Sequence, residues 1–538
     1  MMVPRPILIA LWVLGVAAAL VLTGANLYLG DLNQDEGWYL YAARLVSEGH
    51  LPYRDFAYTQ APVMPFVYAL ARPLTDGWGV AGGRLFTALL GLTAAGLAAV
   101  LAARLVDRPR RAPAALIAFM LVGINVYHSY FTSVVKTYSL SGLLLVLGFL
   151  AVTGLRRDRT SPLLAAAAGL ALTLAAGTRV SAAVAVPIVF VVLIARWRGL
   201  PASWFWFGAG AGTAGAVTFL LPLFTTPDTF MFALFGYHSY REAGGLLSGL
   251  VYKAGFVSRL VQAYFVAVLL GTGVALARLL RVAPRDSADA APRPFPLSPA
   301  LWATVAAVTL VHISAPFPYE DYQVMVFPLF AAAVAAALAR SVERPEVMRW
   351  LVVFVFVISV AASFSSPINQ GWFVQERDRI WWRLKDRPPL AKLQDAGRRI
   401  RALARPGDLL LTQDTYLAVE AGLRVPQGLE LGPFSYYPQW SSEKARRYHV
   451  VNREMLTRIL DQADAPVAAF SGYGLAIESP QIRELPADKQ EALWAAVTQR
   501  YEPTFEMERF GQGATRLRVL VRRPDLAPSA GAHAPSVR

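Results

Sequence analysis

Apolar stretches long enough to cross a bilayer recur along the first two-thirds of this chain, and that recurrence leaves few folds open. A helix needs about 20 apolar residues to span the hydrocarbon, because each residue advances it by only about 1.5 Å. Such runs stand near residues 7–29, 79–103, 113–131, 138–155, 163–177, 183–195, 204–222, 260–277, 300–314, 324–339 and 350–364. The chain has 538 residues, 55% of them hydrophobic, with a mean hydropathy of +0.42. One soluble core cannot take in so many runs. The expected class is a polytopic α-helical membrane protein with about eleven transmembrane helices.

The net charge of +15 raises the question of nucleic acid, and the placement of the charges argues against it. Arg104, Arg108, Arg110 and Arg111 lie in one short loop, Arg156, Arg157 and Arg159 in another, Arg196 and Arg198 in a third. Cytoplasmic loops carry such an excess of arginine and lysine. The basic balance is therefore a topology signal. It places the N-terminus in the cytoplasm and, with an odd number of spans, the C-terminal region outside, on the periplasmic or extracellular side of a plasma (inner) membrane. The stretch Ile7 to Leu29 follows Arg5 and is too long for a signal-peptide core, so it reads as an uncleaved first span. The pair 163–177 and 183–195, joined across Gly177 to Ser181, reads as two spans or one long broken helix.

Acidic residues stay out of the expected spans. None of the expected spans contains Asp or Glu, whereas the outer loops carry Asp31, Asp35, Glu36, Glu48, Asp55, Asp76, Glu320 and Asp321. From about residue 366 charge becomes frequent and apolar runs shorten. Leu409 to Thr412, Val467 to Phe470 and Thr515 to Val521 read as strands; 414–421, 445–463 and 488–501 read as helices. The alternation predicts a soluble α/β domain over 366–525, with an interfacial belt of Trp372, Phe373, Trp381 and Trp382 just after the last span. The Ala/Pro/Ser-rich end, 526–538, reads as a disordered tail. The chain has no cysteine, which removes disulfides, thiolate chemistry and cysteine-based zinc sites. The histidines are scattered, and no metal site or cofactor is indicated.

Chemistry is suggested by the first outer loop, residues 30–78. It opens Gly30-Asp31-Leu32-Asn33-Gln34-Asp35-Glu36-Gly37-Trp38-Tyr39, continues through Gly49-His50-Leu51-Pro52-Tyr53, and reaches Tyr58-Thr59-Gln60-Ala61-Pro62-Val63-Met64-Pro65. Carboxylates at a membrane surface avoid the cost of charge in hydrocarbon and can still reach a lipid-linked substrate. This loop resembles that of the bacterial GT-C glycosyltransferases related to protein O-mannosyltransferases and lipid A aminoarabinose transferases. The likeness is motif-specific over about 31–70 and architectural over residues 1–365. It implies a GT-C transmembrane domain, a polyprenyl-phosphate sugar donor, an outer-face acceptor (glycolipid, polysaccharide or protein) and inversion at the anomeric carbon. It also implies that Asp35 is the catalytic base. Glu36 then orients the acceptor or a cation. The plain alternative for the acidic pair is helix capping by Asp31 or Asp35.

Outer-face cations are needed for the departing lipid phosphate, and Arg84, Lys136 and Arg179 are the candidates. Arg84 and Arg179 have snorkelling as their ordinary explanation. Two departures from the family pattern bear on the sugar and the head group. Gln60 stands where the aminoarabinose branch has Lys, and the second outer loop around Lys136 lacks an acidic residue. Tyr58, Gln60, His312, Tyr319, Glu320 and Tyr322 complete the expected substrate-binding set; His312 stands near the outer end of a span, and the last three lie in the Pro- and Tyr-rich segment after it, whose equivalent borders the donor pocket in GT-C relatives. Two other functions compete: a transporter or flippase of lipid-linked sugars, and a non-catalytic envelope assembly factor. The first is disfavoured by the lack of intramembrane carboxylates and of any repeat. The second leaves the Asp-Glu loop unexplained.

Overall fold

The apolar runs fold as helices close to where the sequence places them. The structure, a computed structural model, describes residues 3–155, 161–195, 202–237, 245–280, 297–372, 379–380, 386–471, 477–479 and 484–525. Among the described residues four helices are long and apolar enough to cross a membrane: Arg5–Leu29, Arg72–Arg104, Ser203–Thr225 and Pro345–Ala362. A fifth candidate is the pair Leu246–Ala263 and Phe265–Leu279, bent by 94°. Shorter apolar helices stand at Tyr138–Thr153, Pro162–Thr178, Val180–Ala195, Ser298–Ser314 and Phe327–Ser341. Contacts divide the chain into two compact units. One gathers Met1–Leu27, Thr87–Leu221 and Glu242–Leu384; the other gathers Tyr28–Phe86, Pro222–Arg241 and Lys385–Arg538.

The first unit is helical and built on small residues. Phe327–Ser341 is its most enclosed helix, with alanines at 331–333, 335–337 and 339 all buried. Pro162–Thr178 and Ser203–Gly215 cross where Gly169 and Gly210 face each other's backbones; a Cβ on Gly169 would stand 2.8 Å from the Ala211 nitrogen. Lipid provides no hydrophobic drive for helix association, so such close approach supplies the packing.

Breaks in helices were the least legible part. The expected span 113–131 is a helix, Arg111–Gly123, then a break, then Val126–Phe131. Asn125 sits at the break and serves both sides. Its Oδ1 accepts from the His128 amide at 2.8 Å, and its Nδ2 donates to the Ala263 carbonyl at 2.9 Å. That carbonyl is freed by the 94° bend at Tyr264, inside the expected span 260–277. Asn369 Nδ2 donates to the neighbouring Gln262 carbonyl at 3.2 Å. Backbone groups released inside a membrane must find such partners. Trp372 is buried, 5.5 Å from the Tyr127 ring and 5.7 Å from Tyr130, so it is a packing residue and not part of an interfacial belt. Phe373, Trp381, Trp382, the loop arginines at 156–159 and 196–198 and the tail from 526 lie outside the described residues.

In the second unit a four-stranded sheet has the order β1-β2-β4-β3, with β1 Leu410–Leu411, β2 Val467–Phe470, β3 Tyr501–Phe510 and β4 Thr515–Arg522. β1 and β2 run parallel; β4 is antiparallel to both β2 and β3. β2 is buried at all four positions, as its continuous apolar run requires. The helix expected over 445–463 is two helices, Ser442–Arg447 and Arg453–Gln462. His449 between them has φ +54°, and Asn452 caps the second.

Glu430 lies in this unit, accepting from the Gly428 amide at 2.8 Å. Burial raises its pKa from 4.5 to about 7, so its charged form is the costly one in the folded state. Its contribution to stability is full below about pH 4.5 and is lost as pH rises through about 7. Glu430→Gln is therefore expected to raise the unfolding temperature at pH 8 relative to the parent and to leave it nearly unchanged at pH 4.5. Thermal unfolding in detergent at the two pH values checks this.

Candidate functional site

Each unit carries one cluster of the residues singled out in the sequence. In the second unit the cluster starts at the helix Asp35–Ser47, whose first turn is fixed by a reciprocal cap. Asn33 Oδ1 accepts from the Asp35 amide at 3.1 Å, and Glu36 Oε1 accepts from the Asn33 amide at 2.9 Å. The cap is thus Asn33 with Glu36, and neither Asp31 nor Asp35 supplies it.

Glu36 goes on to meet Arg84 in the helix Arg72–Arg104. Arg84 Nη2 donates to Oε1 at 2.6 Å and Nε to Oε2 at 2.7 Å, with both side chains 0% exposed. The remaining edge of the guanidinium donates to the carbonyls of Gly30 at 3.0 Å and Asp31 at 2.7 Å. Arg84 is thus buried, not snorkelling, and its planar fork is taken up by a carboxylate and two carbonyls. Glu36 is the partner of that cation and is closed to an acceptor.

Asp35 differs from its neighbour. It is half-buried, and Trp38 Nε1 donates to its Oδ1 at 3.3 Å. The Trp38 ring is itself fixed, stacked on Tyr39 at 3.7 Å and edge-on to Tyr58 at 5.5 Å. Tyr58 is buried among these rings. Gln60 contributes its backbone carbonyl to the Tyr53 hydroxyl at 2.5 Å. Sequence neighbours on a helix point about 100° apart, which is why one carboxylate of the pair is fully buried and the other only half-buried.

The cluster of the first unit gathers Lys136, Arg179 and Tyr322. Lys136 Nζ lies 3.2 Å from Asp321 Oδ2, and the Tyr138 hydroxyl donates to the same oxygen at 2.8 Å. The Arg179 guanidinium lies over Tyr138 at 4.9 Å and Tyr322 at 4.4 Å, and donates to Thr137 Oγ1 at 3.3 Å. The cluster thus sets two cations beside aromatic faces, a composition suited to an anion.

Asp321 and Tyr138 were not singled out from sequence. The signal was the Glu320-Asp321 pair in the tyrosine-rich segment, 185 residues from Lys136. The other candidates of this segment have partners of their own. Glu320 is paired with Arg259 at 2.9 Å. His312 is buried between Ser181 Oγ at 2.8 Å and Gln323 Nε2 at 3.0 Å, a structural tie between segments. Tyr319 is exposed, its ring 5.6 Å from Tyr322. Among the described residues no three His, Asp or Glu side chains gather to hold a metal ion.

No family model matches the sequence, and no curated protein matches it closely enough to count as a relative. Solved structures do match. ArnT from Cupriavidus metallidurans in the apo state overlays with a TM-score of 0.56 at 15% identity, over 96% of this chain and 98% of that one. The same protein bound to undecaprenyl phosphate overlays at 0.52, with the same identity and coverage. The chain has the GT-C glycosyltransferase fold. An Archaeoglobus fulgidus oligosaccharyltransferase, in complex with zinc and sulfate, overlays at 0.44 and 12% identity, over 85% of this chain and 67% of that one. On the GT-C fold the match runs nearly end to end, so it takes in the residues after 385 as well as the helices.

Breaking a buried ion pair on one side leaves an uncompensated charge and typically costs about 3–5 kcal/mol. Arg84→Met and Glu36→Gln are each expected to lower the unfolding temperature strongly, whereas Asp35→Asn leaves it near the parent value. Thermal unfolding of the three purified variants separates the structural from the open carboxylate.

Proposed function

We propose that this protein is a membrane glycosyltransferase that moves a sugar from a polyprenyl-phosphate donor to a hydroxyl acceptor at the outer face. The observation that carries the reading is the split of the acidic pair: Glu36 is fully buried against Arg84, and Asp35 is only half-buried, on a capped, ion-paired helix start. A base must be both reachable and held still. Asp35 meets both conditions and Glu36 only the second. The GT-C fold, and the undecaprenyl phosphate bound by ArnT, support the donor class.

In the proposed step Asp35 takes the acceptor hydroxyl proton as its oxygen attacks the anomeric carbon. The carbon–oxygen bond to the lipid phosphate breaks with inversion, and that oxygen keeps the electron pair. Polyprenyl phosphate leaves as an anion, so no strong acid is needed. Lys136 and Arg179 are assigned to the phosphate on the strength of their own cluster, which brings two cations together beside aromatic faces. Tyr138 and Tyr322 hold the Arg179 guanidinium plane, and Asp321 holds Lys136. The assignments of Asp35 and of the two cations rest on separate units and are tested separately.

Loss of a positioned general base typically costs about 10²–10⁴ in rate. Asp35→Asn is expected to lose turnover by that order in liposomes supplied with a panel of polyprenyl-phosphate sugars, with donor binding retained. Parent-like turnover in a matched preparation would remove Asp35 from the mechanism. Lys136→Met or Arg179→Met should weaken donor binding instead; unchanged donor affinity in both would remove the phosphate assignment.

The proposal also places residues 386–525 on the outer side of the plasma membrane, from the arginine asymmetry of the loops. The chain has no cysteine, so Lys489→Cys, at an exposed position, is a clean reporter. A membrane-impermeant maleimide should label it in intact spheroplasts. Labelling only after lysis would put this region, and the proposed chemistry, on the other face.

A further inference from the structure

The Glu36–Arg84 pair joins two helices, and a third helix of the same unit touches both of them. That helix, Thr415–Ala421, is far away in sequence. Its first turn lies against Gly37, the residue after Glu36. A Cβ on Gly37 would stand 2.6 Å from Thr415 Oγ1 and 2.8 Å from the Thr415 carbonyl carbon, so only glycine permits the approach. Its last turn carries Glu420, whose Oε2 accepts from the Val80 amide at 3.0 Å.

Val80 is where the helix Arg72–Arg104 restarts. Gly79 before it has φ +57° and ψ −135°, a conformation open to glycine alone, and the helical path breaks there. A carboxylate at a new helix start accepts an orphan amide and sits favourably in the helix dipole. Four residues on from Val80, about one turn, is Arg84. The three helices therefore close a loop: Gly37 to Thr415, Glu420 to Val80, and Arg84 to Glu36.

Thr415–Ala421 is itself anchored at both ends. Asp414, just before it, accepts from the Ser471 amide at 2.8 Å, the Ser471 hydroxyl at 2.7 Å and the Tyr416 hydroxyl at 3.0 Å. Ser471 follows β2, so the helix start is tied to the sheet. At the other end Arg401 donates to the carbonyls of Glu420 at 2.6 Å and Ala421 at 3.2 Å. Burial pushes the Glu420 carboxyl above its ordinary range, so the fold holds this acid in place at a cost. An apolar side chain would be the cheaper filler at that position.

We infer that Glu420 is a positioning residue for the site: by capping the restart of the helix at Val80 it sets the placement of Arg84, and through the Arg84–Glu36 pair the placement of Asp35. This rests on the reading of Asp35 as the base. It gives the C-terminal segment of the chain a part in catalysis without contact with substrate.

The test compares parent, Asp35→Asn, Glu420→Ala and Glu420→Gln, full-length and in liposomes, by turnover, donor KM and hydrogen exchange at the Val80 amide. Glutamine keeps a carbonyl acceptor for Val80 and alanine does not. Small misplacements of reacting groups cost up to about 10²-fold. Glu420→Ala should therefore lose about 10- to 100-fold in kcat with donor KM unchanged, and its Val80 amide should exchange faster. Glu420→Gln should recover both.

Parent-like kcat in Glu420→Ala, with Val80 exchanging freely, would overturn the inference while leaving Asp35 in place. Equal losses in the alanine and glutamine variants, tracking the unfolding temperature, would reduce Glu420 to a stabilising residue and also overturn it. Parent-like turnover in Asp35→Asn would instead remove the base and this inference with it. Should Glu420→Ala not fold, Glu420→Asp, one methylene short of Val80, gives the same reading through kcat at constant KM.

Discussion

The buried pair of Glu36 and Arg84 is the interaction on which the proposed chemistry depends. Two charges without solvent cost several kcal/mol each to bury, and they are tolerable only when every donor and acceptor is met. Here the carboxylate takes two guanidinium bonds and the Asn33 amide, and the guanidinium also takes the Gly30 and Asp31 carbonyls. The pair links residues 48 apart in sequence. Its value is less in net stability than in register. It fixes the chain from Gly30 to Glu36 against one helix, so that the residue beside Glu36 has one defined place. Asp35 is that residue, and its openness is meaningful because its backbone is held.

The cationic cluster of the other unit follows a different logic. Lys136 meets the Asp321 carboxylate, and Arg179 meets the Thr137 hydroxyl and the faces of Tyr138 and Tyr322. Aromatic faces orient a guanidinium without taking up its hydrogen-bond fork, whereas the fork of Arg84 is filled by a carboxylate and two carbonyls. That contrast separates an arginine that holds its own loop in place from cations with a composition suited to an anion. Residue type alone does not make the distinction, and burial and partners do.

Much of the helical layout was legible because hydrocarbon imposes a length on every apolar run. The reactive loop was legible from Asp35-Glu36 following the first run, and from the resemblance carried by the residues up to Pro65. What the sequence could not reveal was which of the two acids is open. Adjacent residues share every local property, and only the arrival of Arg84 decides between them. Arg84 itself was misread, since the outer end of an apolar run looks the same whether the side chain meets water or a carboxylate. Asp321 was passed over because its partner Lys136 is 185 residues away. β3 was missed for a local reason: irregularities between Pro503 and Phe505 and between Met507 and Phe510 break the alternation that marks a strand. The helix breaks at Asn125 and Tyr264 were hidden in the same way, because apolar content continues across them while the hydrogen-bond ladder does not.

The central claim is that one open carboxylate, Asp35, acts as a base and never as a nucleophile. The measurement that bears on it most directly is the anomeric configuration of the product, read by proton NMR after transfer from a polyprenyl-phosphate sugar of a single known anomer. A base-assisted single displacement gives a product of inverted configuration. A product of retained configuration would require a covalent glycosyl intermediate on the protein, and it would contradict the account.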